Sequence, residues 1–187
     1  MQPLNSSEDA GRRFEPAPRT MDETEFSARF GAVYEQSSWI AQRAWARGLN
    51  STHDTVAGLS EALVAEVAQA DEACQLRLIR AHPDLGGKAA LAGKLTAASA
   101  REQAGAGLTA CTPEQFDCLQ RLNAEYTAKF GFPFVVAVTG LTREQIIDGI
   151  AERLKSDPAI ERHRALSEIH RIAWFRLVQL ARQPSGR

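Results

Sequence analysis

The stretch RAHPDLGGKAA (residues 80–90) places a histidine directly before a proline, at the end of a segment with helical spacing. Pro83 disfavours the α conformation at His82, so the helix is expected to end there and to leave the imidazole in a fixed loop. An imidazole has an unperturbed pKa near ~6.5 and can therefore donate or accept a proton at neutral pH. His82 is a candidate acid–base group; a histidine that packs against a helix end is the alternative.

A second group of polar residues lies in SAREQAGAGL, residues 99–108. Ser99 and Glu102 have the S-x-x-E spacing of a capping box, which predicts a helix start at this point. Such a start would bring Ser99, Glu102 and Gln103 together beside unpaired backbone N–H groups, where an anionic ligand is favoured. A purely structural cap explains the same spacing, so both interpretations stay open.

The third candidate is an arginine on an apolar helix face. Arg176 follows the stripe formed by Leu166, Ile169 and Ala173, so it is expected to point inward. A buried guanidinium is costly unless it is paired, and its planar shape suits two-point contact with a carboxylate. The sequence predicts a carboxylate partner for Arg176, either within the protein or on a ligand; a side chain that extends along the apolar face to reach water is the alternative.

The elements that must position these residues are helices. Apolar residues recur at helical spacing from Phe26 to Leu180, which predicts an all-α fold and a single compact multi-helix domain over residues 21–183. Thr112 and Thr142 each precede a glutamine at capping-box spacing, and Asp157 precedes a proline, so each is predicted to start a helix.

One segment breaks the helical pattern. FPFVVAV, residues 132–138, is β-like and is bounded by Gly131 and Gly140. A lone strand has no partner with which to pair, so we expect a short irregular or extended buried segment near residues 131–140. Buried non-helical backbone in a helical protein is a candidate lining for a site.

Composition excludes several classes of function. The 187 residues are 44% hydrophobic with a formal net charge of -1, so no basic field favours nucleic acid. No apolar run approaches a membrane span, and Cys74, Cys111 and Cys118 suggest neither a disulfide framework nor a thiolate zinc site. Residues 1–20 are polar, contain prolines and lack periodicity, so a disordered N-terminal tail is predicted. A cytoplasmic location is expected, and the C-terminal RQPSGR lacks a peroxisomal S-K-L signal.

Three long motifs resemble a known family. AHPDLGGKAALAGKLTAASAREQAGAGL, LNAEYTAKFGFPFVVAV and ALSEIHRIAWFRL are together similar to the 2-oxo-4-hydroxy-4-carboxy-5-ureidoimidazoline (OHCU) decarboxylases of uric acid breakdown. The resemblance runs from about Phe26 to Leu180. It implies an all-α enzyme, a carboxy-lyase, that converts OHCU to (S)-allantoin without a cofactor or a metal.

The resemblance also implies a role for each candidate residue. His82 matches the catalytic histidine, Glu102 the carboxylate that orients it and binds substrate, and Arg176 the arginine that holds the substrate anion. Pro83 matches a backbone contact to substrate. The remaining matches are Ser99 and Gln103, which bind the ring and ureido group, and the segment lying along the substrate, which is Phe134, Val135, Val136, Ala137 and Val138. Ala100 departs from the family pattern, in which a hydroxyl-bearing residue is common, and no contact is predicted there.

The resemblance also implies binding partners, and two other functions are alternatives to it. The resemblance implies OHCU as the small-molecule partner, neither nucleic acid nor membrane, a homodimer, and a pathway association with a transthyretin-like 5-hydroxyisourate hydrolase. A non-enzymatic helical interaction module is the alternative function. A metal hydrolase using His163 and His170 is disfavoured, because their spacing on one helix is not that of helical metal ligands.

Overall fold

A computed structural model of the chain describes residues 7–87 and 95–183. The described residues form helices joined by loops and contain no strand; an isolated bridge pairs Arg13 with Thr55. The all-α prediction is confirmed. The α-helices are α1 (Ser7–Gly11), α2 (Glu23–Phe30), α3 (Trp39–Ala46), α4 (Val56–Ala68), α5 (Glu72–Arg80), α6 (Ala97–Gly105), α7 (Pro113–Phe130), α8 (Arg143–Arg153) and α9 (Pro158–Arg182). Short 3-10 turns occupy Pro18–Thr20, Ser51–Asp54 and Leu108–Ala110.

By its internal contacts the chain divides into two compact units. The first comprises residues 1–78 and 170–187, and the second comprises residues 79–169. The prediction of one domain over residues 21–183 stays a prediction. Among the described residues, no helix is both long enough and apolar enough to span a membrane.

In the first unit, α3 packs against α2 and α4. Aromatic rings fill its core: Phe26 and Phe30 are almost completely buried, and Phe14 meets Phe30 edge to face with ring centroids 5.1 Å apart. Such edge-to-face pairs add to the stabilisation from burial alone. Helices α2 and α4 thus each pack on α3, and the buried residues of both contribute to the core of this unit.

The predicted disordered tail is wrong for residues 7–20, and residues 1–6 lie outside the described residues. Phe14 is only 3% exposed, and its N–H donates to the backbone oxygen of Asp54 over 2.9 Å. The fully buried carboxylate of Asp54 also pairs with Arg13 at 3.0 Å and with Arg19 at 2.5 Å. One aromatic anchor and one buried charge therefore order a segment whose composition alone indicates disorder.

In the second unit, α7 packs against α8. Both helices begin as predicted, with reciprocal capping boxes between Thr112 and Gln115 and between Thr142 and Gln145. The last helix begins at Pro158, where Asp157 accepts from the N–H of Ala159 over 2.8 Å. The buried faces of α7 and α8 form the core of this unit.

The segment over residues 131–140 is irregular and largely buried, as predicted. It contains no helix or strand, and Phe134 and Ala137 are each 1% exposed. The ring of Tyr126 on α7 packs edge to face against that of Phe134, with centroids 5.3 Å apart. Helix α7 therefore supports the segment from one side.

Candidate active site

His82 lies in the second unit, two residues beyond the end of α5. Its backbone N–H donates to the Ile79 oxygen over 3.1 Å, which closes the last turn of the helix. The predicted helix stop before Pro83 is confirmed. The His82 side chain is 8% exposed, so the imidazole is largely shielded from water.

Three amide side chains hold the loop that follows. The Gly86 N–H donates to Gln103 Oε1 over 3.0 Å, and the Gly86 oxygen accepts from Gln120 Nε2 over 2.9 Å. Asn123 Nδ2 donates to the Leu85 oxygen over 2.9 Å. Gly86 has a φ of 59°, in the left-handed region that favours glycine. Within this loop, burial raises the pKa of the Asp84 carboxyl.

The polar residues of α6 approach this loop through Gln103. Ser99 and Gln103 are 5% and 3% exposed, and Glu102 between them is half-buried. The capping-box interpretation of Ser99 is wrong, because the helix begins earlier and Thr96 is its N-cap, accepting from the Ser99 N–H over 3.3 Å. Ser99 and Glu102 therefore both belong to the body of the helix, and the contact between Gln103 and Gly86 brings α6 to the loop that begins at His82.

Backbone groups of the irregular segment are anchored by two charged side chains. Arg153 Nη1 donates to the Val135 oxygen over 2.7 Å, and the Ala137 N–H donates to Glu168 Oε2 over 2.8 Å. Phe134 and Val138 are buried, whereas Val136 is half-buried. The predicted substrate-lining stretch thus has two of its backbone groups occupied within the protein.

A buried charged cluster lies behind the segment. Arg153 Nε donates to Glu161 Oε1 over 2.6 Å, the Tyr126 hydroxyl also donates to Glu161, and Glu161 is fully buried. The Arg153 guanidinium lies over the Phe134 ring, 4.5 Å from its centroid. Burial, together with the bond to Glu161, raises the pKa of the Tyr126 hydroxyl. Since breaking a buried ion pair is costly, this cluster fixes the segment firmly.

Arg176 belongs to the first unit, where it meets a carboxylate of the protein itself. Its Nη1 lies 3.0 Å from Glu35 Oε2 and 3.3 Å from the Val33 oxygen, and Arg176 and Glu35 are 6% and 3% exposed. The predicted inward orientation and the predicted carboxylate partner are both confirmed. The Arg176 guanidinium is therefore held by Val33 and Glu35, which lie in the segment that follows α2.

His170 is also committed to a contact in the first unit. Its Nδ1 lies 2.9 Å from the Tyr34 hydroxyl. Burial lowers the pKa of His170 to about 4 and raises that of Tyr34. Among residues 7–87 and 95–183, no group of three or more histidine, cysteine or acidic side chains has the arrangement to hold a metal ion.

A pocket of about 570 Å³ lies beside the loop in the second unit. Gly86 and Gln103 line it, together with Ala100, at which no contact is predicted. His82 is not among the residues that line it. Cys111 also lines it as a free thiol that donates to the Leu108 oxygen over 3.4 Å. The pocket offers mostly apolar contacts, which come from Leu95, Leu108, Pro113 and Phe116.

Several residues that hold a candidate residue, the loop after His82 or the irregular segment in place are not among those predicted from the sequence. They are Glu35, Gln120, Asn123, Arg153, Glu161 and Glu168. Asn123 and Arg153 are each buried on a helix that has an apolar face, and a polar residue at such a position is the signal that identified Arg176. Asn123 meets Leu85 in a loop 38 residues earlier, and Arg153 meets Glu161 on the next helix, so spacing along one helix reveals neither pairing.

Comparison with known proteins shows which family the chain resembles in sequence. A family model described as OHCU decarboxylase matches residues 19–178. The chain is 38% identical over 159 residues to the 2-oxo-4-hydroxy-4-carboxy-5-ureidoimidazoline decarboxylase of Halalkalicoccus jeotgali, covering 85% of this chain and 86% of that protein. It is 39% identical over 163 residues to the uric acid degradation bifunctional protein of Bacillus sp. strain TB-90, covering 87% of this chain and 31% of that protein.

Solved structures share the fold. The chain superposes on a crystal structure of (S)-allantoin synthase with a TM-score of 0.69 at 25% identity, covering 87% of this chain and 52% of the other. An OHCU decarboxylase crystallised in the presence of (S)-allantoin gives a TM-score of 0.64 at 21% identity, with 87% and 100% coverage. The all-α fold and the sequence match define a decarboxylase, a carboxy-lyase. More particularly, the chain belongs to the OHCU decarboxylase family.

Proposed function

We propose that this protein decarboxylates OHCU to (S)-allantoin in uric acid degradation, with His82 as the acid–base group. The observation that carries the proposal is the family match over residues 19–178, together with a shielded His82 on a loop held by Gln103. Family membership favours this activity over both a non-enzymatic helical module and a metal hydrolase.

The substrate carries its own electron sink. Its carboxylate is bonded to a ring carbon that bears a hydroxyl and adjoins a ring C=N bond. When the carbon–carbon bond to CO2 breaks, its electron pair forms a C=C bond within the ring, and the C=N electrons move to the ring nitrogen, which takes a proton. The resulting enol loses its hydroxyl proton and gains a proton on the ureido-bearing carbon, which gives allantoin.

Each candidate residue has a place in this reaction. His82 would move the hydroxyl proton, and Glu102 would orient the imidazole. Arg176, held by Glu35, would bind the substrate anion, and fixed positive charge near the carboxylate would hold the breaking bond in a productive direction.

The remaining groups would bind rather than react. Because Gln103 Oε1 already accepts from Gly86, its Nε2 is the end that would donate to the ring or ureido oxygen, beside the Ser99 hydroxyl and the Pro83 backbone. Along Phe134–Val138, the Val135 oxygen and the Ala137 N–H are engaged by Arg153 and Glu168. The backbone of Val136, half-buried between them, is the better candidate to lie along the substrate.

We further propose a cytoplasmic homodimer that works beside a 5-hydroxyisourate hydrolase, which would supply fresh OHCU. The relative from Bacillus sp. strain TB-90 is named a bifunctional protein of uric acid degradation, which supports a link between neighbouring steps of the pathway. Sedimentation of the purified protein at several concentrations tests the dimer: a single monomer boundary at all of them would contradict it.

A coupled urate-degradation assay tests the proposed activity directly. Circular dichroism of the reaction mixture should develop the signal of the S enantiomer faster with the protein than without it. Allantoin that forms at the same rate, and as a racemate, in both mixtures would overturn the proposal.

A further inference from the structure

Two amide side chains on one face of α7 donate to consecutive carbonyls of the loop after His82. Gln120 Nε2 lies 2.9 Å from the Gly86 oxygen, and Asn123 Nδ2 lies 2.9 Å from the Leu85 oxygen. Residues three apart on a helix share a face, so the two donors act side by side. The family resemblance assigns no role to either residue.

The loop is fixed at both of its ends. The His82 N–H closes the end of α5 by donating to Ile79, and the Gly86 N–H donates to Gln103. His82, Leu85, Gly86 and Gly87 are all buried. A buried carbonyl needs a hydrogen-bond donor, and neutral amides supply one without placing a charge in the buried loop.

Asn123 is an unusual choice if its role is only to pack. Its Oδ1 is buried and makes no hydrogen bond with the part of the chain that the structure describes. Such an unsatisfied acceptor costs stability, whereas an apolar residue of similar size would avoid the cost. The bond from Nδ2 to Leu85 is therefore the contact that distinguishes asparagine from an apolar residue at this position.

We infer that Asn123 and Gln120 are positioning residues that hold the His82 loop in its reactive arrangement. The inference rests on the proposed catalytic role of His82. Small displacements of a reacting group reduce its rate steeply, so these residues should affect kcat far more than substrate binding.

The test replaces each amide donor by a carboxylate. In Asn123→Asp, assayed at a pH at which the new carboxyl is ionised, the side chain would face the Leu85 carbonyl without a donor, so kcat for OHCU should fall about tenfold or more while the Kd for (S)-allantoin changes less than about twofold. Gln120→Glu should behave alike, and its half-buried site keeps the test available if the first variant does not fold. Gln179→Glu, the same exchange at an exposed position, is the matched control and should retain full activity.

The pH profile separates positioning from general damage. A carboxylic acid can donate once it is protonated, and burial raises its pKa, so the rate of Asn123→Asp relative to wild type should recover as the pH is lowered. Asn123→Ala cannot recover in this way. Hydrogen exchange of the Leu85–Gly87 amides should also be faster in both carboxylate variants than in Gln179→Glu.

Folded variants with unchanged kcat and unchanged amide exchange, beside a wild-type protein that turns over OHCU, would overturn the inference alone. A wild-type protein that leaves OHCU untouched would overturn the proposed function and, with it, the inference.

Discussion

At the scale of single residues, buried charge decides which side chains are held in one orientation. Arg176 and Glu35 lie 3.0 Å apart and are both almost inaccessible to water. Such a pair is costly to bury and costly to break, so it holds the guanidinium in one orientation. Any anion that reaches Arg176 meets a group that is already positioned.

Replacing Arg176 by lysine keeps the charge and removes the planar fork. We expect Arg176→Lys to raise the KM for OHCU about tenfold, which corresponds to ~1.4 kcal/mol, because a point charge cannot meet Glu35 and the substrate carboxylate in the same fixed geometry. Steady-state kinetics with fresh OHCU measure this change in apparent affinity. Arg171→Lys, at an exposed position of the same helix, is the control. Equal affinity in the two variants would contradict the role of the Arg176 fork.

At the scale of elements, the sequence predicts the helices better than it predicts what holds them. The starts at Thr112, Thr142 and Pro158 are local, since each cap lies within a few residues of the amides that it satisfies. The sequence does not fix the start of α6, because Ser99 and Thr96, three residues earlier, offer the same capping chemistry. The need of Arg176 for a carboxylate partner follows from the free-energy cost of burying an unpaired guanidinium. The identity of that partner as Glu35 depends on the tertiary fold.

The N-terminal segment gives the element-scale prediction. Asp54→Asn removes the buried charge that Arg13 and Arg19 share, so residues 12–20 should loosen, with a loss of about 1–2 kcal/mol in the free energy of unfolding. Native-state trypsin digestion should then cleave after Arg19 several times faster than in the wild type. Glu23→Gln removes an exposed carboxylate nearby and serves as the control. Equal cleavage rates in both variants would show that Asp54 does not hold the segment.

At the scale of the whole molecule, His170 should make stability depend on pH. Its folded-state pKa is lowered to about 4 by burial, whereas the unfolded chain binds a proton near ~6.5. The unfolded state therefore binds more protons between these values. The contribution of His170 to the free energy of unfolding is fully present above pH ~6.5 and is lost as the pH falls towards 4. The full loss corresponds to about 3 kcal/mol.

Urea unfolding at a series of pH values measures this loss. His170→Gln should flatten the dependence between pH 6.5 and 4, because glutamine does not titrate. His163→Gln, at an exposed position of the same helix, should leave the slope of the wild type unchanged. A slope that is the same in all three proteins would assign the acid sensitivity to other groups.

The measurement that tests the central claim most directly is the turnover of fresh OHCU by His82→Asn. Asparagine preserves a polar side chain of similar reach but cannot exchange a proton near neutral pH. The variant should bind (S)-allantoin within about twofold of the wild type, while its kcat falls by about 100-fold or more. Turnover near the wild-type rate, in a variant that folds and binds normally, would contradict the assignment of His82 as the acid–base group.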